Sequence, residues 1–471
     1  MELNSYIKQG VERFKNIDNK EVIRVISHLD TDGICSAAIL TKAMIRERKK
    51  FSITFINYLS EEFVRALGNE QHKHIIFLDL GTSQIKNIKK YLKEKEIYVL
   101  DHHSTRIRTE EEGVFHLNPS IYGTDGSKEV SGASVVYLFA KELNNKNLDL
   151  AYLGIVGAIG DSQENNGFLG LNNEVLDDAI KSKKINIEKG IRFFGAENKP
   201  LYKVLKNSVD IYIPGVTGSD DKALELLESL NIEAKKKGRW TRLEDLEEDQ
   251  LKALIESIVL KRQSLSQNEL KKNDIFGNKY ILLGANPEIR DLRELSTMIN
   301  ACGRLDKASV GMGLLLGDKK CFLRATFTLK EYKKEILKAI KWIESKKRTK
   351  KVIQEKGYMI INAGEEITPK ILGTITSMFT RNREIEYGTY LMGLSRTFND
   401  KIKISFRIVG NRSKVSLQRL LESIVEKFDG ECGGHHNAAG GLIHVKHEEK
   451  FIETVKMELG KKAMEEVIEW F

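Results

Sequence analysis

Acidic and histidine side chains directly follow three apolar, β-branched runs in the first third of the chain. Seven such residues follow the three runs and one more acid ends an apolar helical segment: His28, Asp30, Asp32, Asp79, Asp101, His102, His103 and Asp161. Carboxylates and imidazoles that occur together without thiolates suit Mn²⁺ or Mg²⁺ better than a closed zinc site. The sequence therefore predicts a site for divalent metal ions.

The spacing of these residues favours two ions. His28, Asp30 and Asp32 alternate after one strand and can project toward two neighbouring metal positions, while Asp79 from another strand can bridge them. Two ions roughly 3.5–4 Å apart can clamp a phosphoryl group and activate water for in-line attack. Each residue alone also has a structural interpretation, since an Asp after a strand often caps the next helix. Their joint occurrence after successive strands favours the metal site.

The elements that must position these side chains alternate between strands and helices, a pattern typical of a parallel sheet covered by helices. Strands are predicted at 22–27, 53–57, 75–80 and 97–100, and helices at 33–46, 131–143 and 150–160. The carboxyl ends of parallel strands form the ligand crevice of an open sheet, so the acids and histidines are expected to converge there.

The remainder of the chain predicts a second α/β domain after a helical connector. Residues 219–273 have helical patterning and are rich in both charge signs. Beyond them we predict strands at 280–284, 309–317, 358–364, 389–398 and 401–410, and helices at 329–353 and 414–428. The predicted fold class is thus α/β, with a parallel-sheet domain at 1–190, a helical connector or inserted subdomain at 191–273, and a second α/β domain at 274–471.

Composition disfavours several classes of protein. The 471 residues carry 76 Lys and Arg against 67 Asp and Glu, and the net charge of +9 permits a polyanionic partner without requiring one. The N-terminus lacks the apolar core of a signal peptide, and no window approaches the roughly 18–20 apolar residues of a membrane helix. Four scattered cysteines form no CxxC pair, which disfavours a disulfide framework or a structural zinc site. We expect a cytoplasmic protein.

Five short motifs carry a family resemblance. SHLDTDG, FLDLG, the tripeptide Asp101-His102-His103 and GDS resemble, in order and spacing, the four motifs of the DHH phosphoesterase superfamily. GGHHNAAGG (433–441) resembles the glycine-rich signature of the companion DHHA1 domain. The chain is most similar to the RecJ-like single-strand exonucleases of the archaeal, GINS-associated branch. Bacterial RecJ enzymes usually have Asp where His28 stands, and the His form is similar to archaeal RecJ-like proteins and to the smaller oligonucleotide phosphodiesterases.

The resemblance implies a role for each member of the acid and histidine set. One metal would be held by His28, Asp30 and Asp79, and the second by Asp32, Asp79, His102 and Asp161. Asp101 would orient an imidazole, as carboxylates often do beside metal-ligating histidines. His103 would face the scissile phosphate as an electrophile or general acid. The first domain would be the DHH catalytic domain and the last the DHHA1 substrate-binding domain.

Substrate contacts are predicted in both domains, each with a structural alternative. Asn118 would lie in a substrate-side loop, and Ser131 opens a helix whose N–H groups either receive a phosphate or are simply capped. Arg304, in the RecJ-like element INACGR, would hold a phosphate bidentately or form a surface ion pair. The strand residues Ser405 and Arg407, with Lys403, would face either solvent or the glycine-rich segment. That segment would contact the terminal nucleotide or phosphate through four residues: Gly434, His435, His436 and Asn437. The basic run 341–356 fits either a solvated helix face or a phosphate-contacting surface.

The function implied by the resemblance is two-metal hydrolysis of phosphodiester bonds. The expected enzyme is an exonuclease that uses two divalent ions, Mn²⁺ preferred and Mg²⁺ possible, to degrade single-stranded DNA or RNA to mononucleotides in DNA repair or replication. One alternative is a nano-RNA or cyclic-dinucleotide phosphodiesterase, although such relatives are shorter and lack the region 219–273. The other is a replisome scaffold that binds the GINS complex. The polarity of degradation, the choice of DNA or RNA and the oligomeric state are left open.

Overall fold

The computed structural model describes ten stretches of the chain: residues 3–105, 113–164, 167–197, 199–209, 211–262, 275–347, 349–380, 385–410, 416–435 and 438–468. The chain forms two compact units. The first contains Met1–Arg192 and Phe276–Lys330, and the second contains Phe193–Ile275 and Glu331–Phe471.

A five-stranded parallel sheet, in the order β2-β1-β3-β4-β5, forms the centre of the first unit. Its strands are β1 (Val22–His28), β2 (Lys50–Ile56), β3 (His74–Leu78), β4 (Glu96–Leu100) and β5 (Val114–Leu117). Strands β3 and β4 are buried over nearly their whole length. They form continuous apolar runs because helices cover both faces of a parallel sheet.

Helices of the first unit connect and cover these strands. They are α1 (Leu3–Lys15), α2 (Thr31–Arg46), α3 (Glu61–Gly68), α4 (Ile85–Tyr91), α5 (Gly132–Leu143), α6 (Ala151–Gly160) and α7 (Gly170–Lys181). Capping side chains fix where two of them begin. Asp30 accepts a hydrogen bond from the Gly33 amide at the start of α2, and Ser131 accepts one from the Ser134 amide at the start of α5.

The first unit also includes a segment from beyond residue 274. Strand β6 (Ile185–Ile191) pairs antiparallel with β9 (Phe276–Leu282), and α11 (Leu292–Arg304) and α12 (Ala308–Leu315) follow. Helix α13 (Lys319–Lys346) then runs into the second unit. The structure thus divides the chain differently from the boundary expected at 274, because Phe276–Lys330 packs with the first unit.

The second unit contains a six-stranded mixed sheet in the order β10-β11-β12-β13-β15-β14. Its strands are β10 (Val352–Glu355), β11 (Tyr358–Asn362), β12 (Tyr390–Arg396), β13 (Lys401–Ile408), β14 (Glu431–His435) and β15 (Ala438–His444). Only β11 and β12 pair in parallel. Its helices are α14 (Pro369–Phe379), α15 (Leu417–Val425) and α16 (Glu448–Ile468).

The connector region, in the described residues up to Arg262, contains helices and one short hairpin joined by turns and irregular segments. It contains α8 (Leu201–Lys206), α9 (Asp220–Ser229), the hairpin strands β7 (Lys235–Lys236) and β8 (Arg239–Trp240), and α10 (Glu248–Arg262). Among the described residues, no helix is both long enough and apolar enough to span a bilayer.

The predicted α/β class is confirmed, but one predicted strand is wrong. Residues 309–317 were expected to form a strand and instead lie mainly in α12. Its buried residues, Ala308, Gly311, Leu314 and Leu315, recur at helical spacing. A short apolar run does not distinguish a strand from a buried helix by periodicity alone. The long helix predicted at 329–353 begins ten residues earlier, at Lys319, and ends at Lys346.

Candidate metal centre

The carboxyl edge of the first sheet brings the predicted metal ligands together. His28 ends β1, Asp79 directly follows β3, and Asp101 directly follows β4. Asp79 has a φ of 56°, a left-handed conformation in which Asp is among the better tolerated residues. Asp161 is the C-cap of α6. Parallel strands share one direction, so the residues that follow them meet at the same edge.

One group of ligands consists of His28, Asp30 and Asp79. The Nδ1 atom of His28 lies 3.0 Å from Oδ2 of Asp30 and 3.3 Å from Oδ2 of Asp79. One ligand atom from each residue lies within 4.8 Å of the others, a spacing that suits a single ion. Burial raises the pKa of Asp30, but His28, the Gly33 amide and Arg304 together bring that pKa below its ordinary value.

The second group surrounds the Nε2 atom of His102. This atom lies 3.2 Å from Oδ1 of Asp79, 3.3 Å from Oδ2 of Asp161 and 3.8 Å from Oδ2 of Asp32. Asp79 thus presents one carboxylate oxygen to each group, as a bridging ligand would. The two groups match the two ligand sets that the family resemblance implies.

The ring of His102 is held so that Nε2 faces the carboxylates. Its Nδ1 atom lies 2.6 Å from the carbonyl oxygen of Gly126 and 3.1 Å from that of Val130. Because both neighbours of Nδ1 are acceptors, Nδ1 must carry a proton, and in the neutral ring Nε2 offers a lone pair. That lone pair would point at carboxylate oxygens, an arrangement that requires a proton or a metal cation between them.

The electrostatics of the second group also call for a cation. Burial lowers the pKa of His102, but the adjacent carboxylates outweigh this effect and raise that pKa well above its ordinary value. Burial, together with Asp161 and Asp79, raises the pKa of Asp32. Burial, aided by Asp79 and Asp30, raises the pKa of Asp161 to about 7. Oδ1 of Asp79 is buried, and apart from the nearby Nε2 of His102 no described residue offers it a donor. Hard oxygen donors, an imidazole and this orphaned oxygen fit a divalent ion of the Mn²⁺ or Mg²⁺ type.

Helix α5 holds Asp32 in place. The Asp32 carboxylate accepts hydrogen bonds from the Gly132 amide (2.5 Å) and the Ala133 amide (2.9 Å). The N–H groups that could have received a substrate phosphate therefore bind the Asp32 carboxylate. Ser131 is fully buried and caps the helix, so the structure supports the capping alternative for this residue.

Asp101 supports His103 and lies close to Asp79 and His102. Its Oδ1 lies 2.7 Å from Nδ1 of His103 and accepts from the His102 amide, while Oδ2 accepts from the Thr82 amide. The charge of Asp101 raises the pKa of His103 to about 9. The His103 side chain is 39% exposed.

Asn118 is buried behind His103. Its Nδ2 donates to the carbonyl oxygen of His103 and to Oγ1 of Thr82, and its Oδ1 accepts from the Ser120 amide. The predicted substrate-side residue thus supports the backbone of the His103 loop.

Arg304 lies in the first unit beside the first ligand group. It ends α11, and its charge lowers the pKa of Asp30. A Cβ atom at the preceding Gly303 would lie 1.9 Å from the carbonyl oxygen of Leu29, which shows how closely α11 approaches this loop. Nε of Arg304 is buried and donates to no acceptor among the described residues.

The substrate residues predicted in the last domain lie on adjacent strands of the second unit. Ser405 pairs with Gly440 and Arg407 with Ala438 across β13 and β15. Ser405 is buried and bonds Thr376, and Arg407 donates to the carbonyl oxygen of Ala439 and to Ser377. The strand that carries Ser405 and Arg407 thus lies directly beside the glycine-rich segment. Gly434 has a φ of 147°, while His436, Asn437 and the side chain of His435 lie outside the described residues.

Sequence reasoning missed a buried amide network behind His102. Gln163 donates to the same two carbonyl oxygens that His102 contacts, those of Gly126 and Val130 (3.0 and 3.1 Å). Asn172 donates to Oε1 of Gln163 and accepts from Ser134. The only sequence signal was the position of Gln163 two residues after Asp161.

Three family descriptions match the chain. The DHH family N-terminal domain matches residues 22–155, the DHH-CID domain 193–275 and the DHHA1 domain 355–461. The DHH match covers the five-stranded sheet and most of the ligands, and the DHH-CID match coincides with Phe193–Ile275 of the second unit.

Known proteins resemble the chain over nearly its full length. An uncharacterized protein of Methanocaldococcus jannaschii is 30% identical over 456 residues, 95% of each chain. The crystal structure of CDC45 from Entamoeba histolytica has a TM-score of 0.68 at 10% identity, covering 97% of this chain and 99% of that one. RecJ from Thermus thermophilus in complex with Mn²⁺ has a TM-score of 0.57 at 16% identity; the match covers 98% of this chain and 55% of RecJ.

The fold and the ligand cluster define a metal-site protein of RecJ-like architecture. The chain belongs to the DHH/DHHA1 family. This membership, together with the acid and histidine cluster, supports a phosphoesterase or nuclease that binds divalent metal.

Gly157 of α6 gives a test of how tightly the second ligand group is packed. A Cβ atom there would lie 2.2 Å from Oδ1 of Asp32 and 2.5 Å from Cβ of Ala133. Gly157→Ala should displace the Asp32 carboxylate and weaken Mn²⁺ binding by about 10-fold or more, measured by calorimetric titration. The control Gly460→Ala adds the same methyl group in α16, where the nearest atom is 3.7 Å away, and should leave binding unchanged. Equal Mn²⁺ affinities in both variants would contradict this packing.

Gln163→Leu tests whether the buried amide network positions His102. The change leaves two buried carbonyl oxygens with fewer donors, so we expect Mn²⁺ affinity to fall about 10- to 100-fold. Asn147 is a buried amide that donates to the carbonyl oxygen of Ala140. Gln163→Leu and the control Asn147→Leu should each lower the free energy of unfolding by roughly 1–3 kcal/mol. The control should nevertheless keep its affinity for Mn²⁺. If both variants lose stability and neither loses metal affinity, the network is merely structural.

Proposed function

We propose that this protein is a two-metal exonuclease that hydrolyses single-stranded DNA or RNA to mononucleotides. The observation that carries the proposal is the position of Asp79, whose Oδ2 faces His28 of one ligand group and whose Oδ1 faces His102 of the other. Two divalent ions bound there would polarise the phosphodiester and supply an activated water. His28, Asp30 and Asp79 would hold one ion, and Asp32, Asp79, His102 and Asp161 the other.

The protein's own residues complete the site around the phosphate. Asp101 holds Nδ1 of His103 and raises the pKa of the imidazole to about 9, so the protonated ring would donate a hydrogen bond to the scissile phosphate. Arg304 adds a fixed positive charge near Asp30 and neutralises a phosphate oxygen. Both groups act on charge that develops at the phosphoryl group, and their preorganised positions lower the cost of reaching the transition state.

In the second unit, the glycine-rich segment and Arg407 are proposed to hold the strand end. Arg407 is fixed by bonds to Ser377 and to the carbonyl oxygen of Ala439, directly beside β15. The small residues of β14 and β15 allow a ligand backbone to approach closely. Mn²⁺ is proposed as the preferred ion, with DNA repair or replication as the setting.

A replisome scaffold that binds GINS remains the second proposal. The likeness to CDC45 concerns the fold, whereas every implied ligand position carries a ligating residue and converges at the sheet edge. That convergence favours an active metal centre, which would not prevent the protein from also binding a replisome partner.

Asp79→Asn tests the bridging role. Asn tolerates the left-handed backbone at this position, so the variant should fold, while the loss of the bridging charge should lower Mn²⁺-dependent hydrolysis by at least about 100-fold. Removing one of several crowded carboxylates should not destabilise the metal-free protein. Asp178→Asn alters another buried carboxylate, bound by Lys141 and Tyr137, and should retain activity. Full Mn²⁺-dependent activity in Asp79→Asn would refute the two-metal assignment.

A length series of end-labelled single-stranded DNA and RNA distinguishes the exonuclease from a small-substrate phosphodiesterase. We expect activity to persist as the strand lengthens, with mononucleotides released from one end, and the label position then gives the polarity. A collapse of activity beyond a few nucleotides would instead support the nano-RNA alternative.

A further inference from the structure

A groove in the second unit adds a positively charged surface that the metal centre does not use. Its cavity has a volume of about 630 Å³, and its wall combines Trp342 of α13 with four cationic side chains: Lys346, Lys350, Lys351 and Arg396. Two carboxylates, Glu365 and Glu366, complete the charged lining, which leaves the cations in excess. We call this surface the Trp342 groove.

The groove lies at the carboxyl ends of the two parallel strands of this sheet. Strands β11 and β12 pair in parallel, Gly364 follows β11, and Arg396 ends β12. The Arg396 amide donates to the carbonyl oxygen of Gly364, so the two strand ends adjoin. Ligands commonly bind outside the carboxyl ends of parallel strands, where the backbone leaves a crevice.

Arg396 is held in a fixed position at the edge of the groove. Its Nε and Nη2 atoms both donate to Oε2 of Glu448, at 2.9 and 2.7 Å. Glu448 is itself anchored, because Asn362 donates to its other oxygen. Within the described part of the chain, Nη1 of Arg396 has no partner, so it can donate to a ligand.

The lysines of the groove are available for the same purpose. No carboxylate among the described residues lies within ion-pair distance of Lys346, Lys350 or Lys351. The turn that carries them is ordered by hydrogen bonds: Thr349 donates to the carbonyl oxygen of Lys346, and the Asn362 amide donates to that of Lys351. Three unpaired cations around one cavity favour an anionic ligand over an uncharged one.

We propose that the Trp342 groove binds one nucleotide unit of a single-stranded nucleic acid, with the base stacked on Trp342 and phosphates contacted by the lysines and Arg396. An aromatic ring beside cations is the combination that binds single strands without reading their sequence. Glu365 and Glu366 add acceptors for the hydroxyl or amino donors that a nucleotide also carries. The inference rests on the proposed function and names a substrate surface that neither Arg407 nor the glycine-rich segment forms.

The test measures binding of a single-stranded oligonucleotide to hydrolysis-deficient Asp79→Asn protein carrying further changes in the groove. Trp342→Ala should weaken binding by about 10-fold, whereas Trp342→Phe, which keeps an aromatic face, should weaken it less. Binding should also quench the fluorescence of Trp342. The signal of Trp342 is obtained by subtracting the fluorescence of the Trp342→Phe protein from that of the protein that retains Trp342.

Changing Lys346, Lys350 and Lys351 to Gln should reduce the slope of log affinity against log salt by about 2, because each phosphate contact to a single strand contributes roughly 0.7. A control with the same loss of charge changes the exposed residues Lys8, Lys181 and Lys183 to Gln and should leave the slope nearly unchanged. Unaltered affinity and slope in both groove variants would overturn the inference, as would poly-glutamate binding to the groove as tightly as the oligonucleotide.

Failure of the inference and failure of the proposed function give different results. If the groove variants in an otherwise native chain hydrolyse oligonucleotides with unchanged KM, the groove assignment is wrong and the exonuclease stands. If the native chain hydrolyses a small phosphodiester such as bis-p-nitrophenyl phosphate but neither binds nor cleaves oligonucleotides, both the exonuclease and the groove assignment fall.

Discussion

Three carboxylates face the Nε2 atom of one buried histidine, and the need to neutralise that charge shapes the whole first unit. Asp79, Asp161 and Asp32 lie 3.2 to 3.8 Å from His102 Nε2, and the opposite nitrogen is occupied by backbone carbonyls. Burying like charges this close together costs free energy unless a proton or cation lies between them. A divalent cation bound between these side chains would supply that neutralising charge.

Much of the surrounding structure holds those charges in place. The first amides of α5 bind Asp32, and the small residues Gly132 and Gly157 let α5 and α6 approach the carboxylates within distances that a side chain would block. Gln163 and Asn172 fix the carbonyls that orient His102. A metal ligand that is held by buried hydrogen bonds loses little freedom when the ion binds, so the supporting residues contribute to affinity without touching the ion.

The convergence of the acids and histidines could be predicted from the sequence. The order of the strands and the acids that follow them predicted that these side chains meet at one edge of the sheet with Asp79 between two neighbouring positions, and the structure brings the side chains together there. Ser131 and Asn118 have surroundings that the sequence could not specify, since the partners that bury them come from other segments. The run of eight apolar and small residues in α12 fits the repeat of a buried strand as well as that of a buried helix. Packing against the rest of the unit decides that this run forms a helix.

The sequence by itself determined which residues follow each strand, and with that the chemistry of the metal centre, because parallel strands bring their carboxyl ends to one edge whatever the details of packing. Only the tertiary structure decided that Arg304, more than 200 residues from Asp79 in the chain, lies beside the first ligand group and that Phe276–Lys330 completes the first unit. It also decided that the basic run after Trp342 meets the ends of β11 and β12 in one groove. Local spacing records the periodicity of neighbouring residues, whereas contacts between distant segments depend on how their surfaces pack.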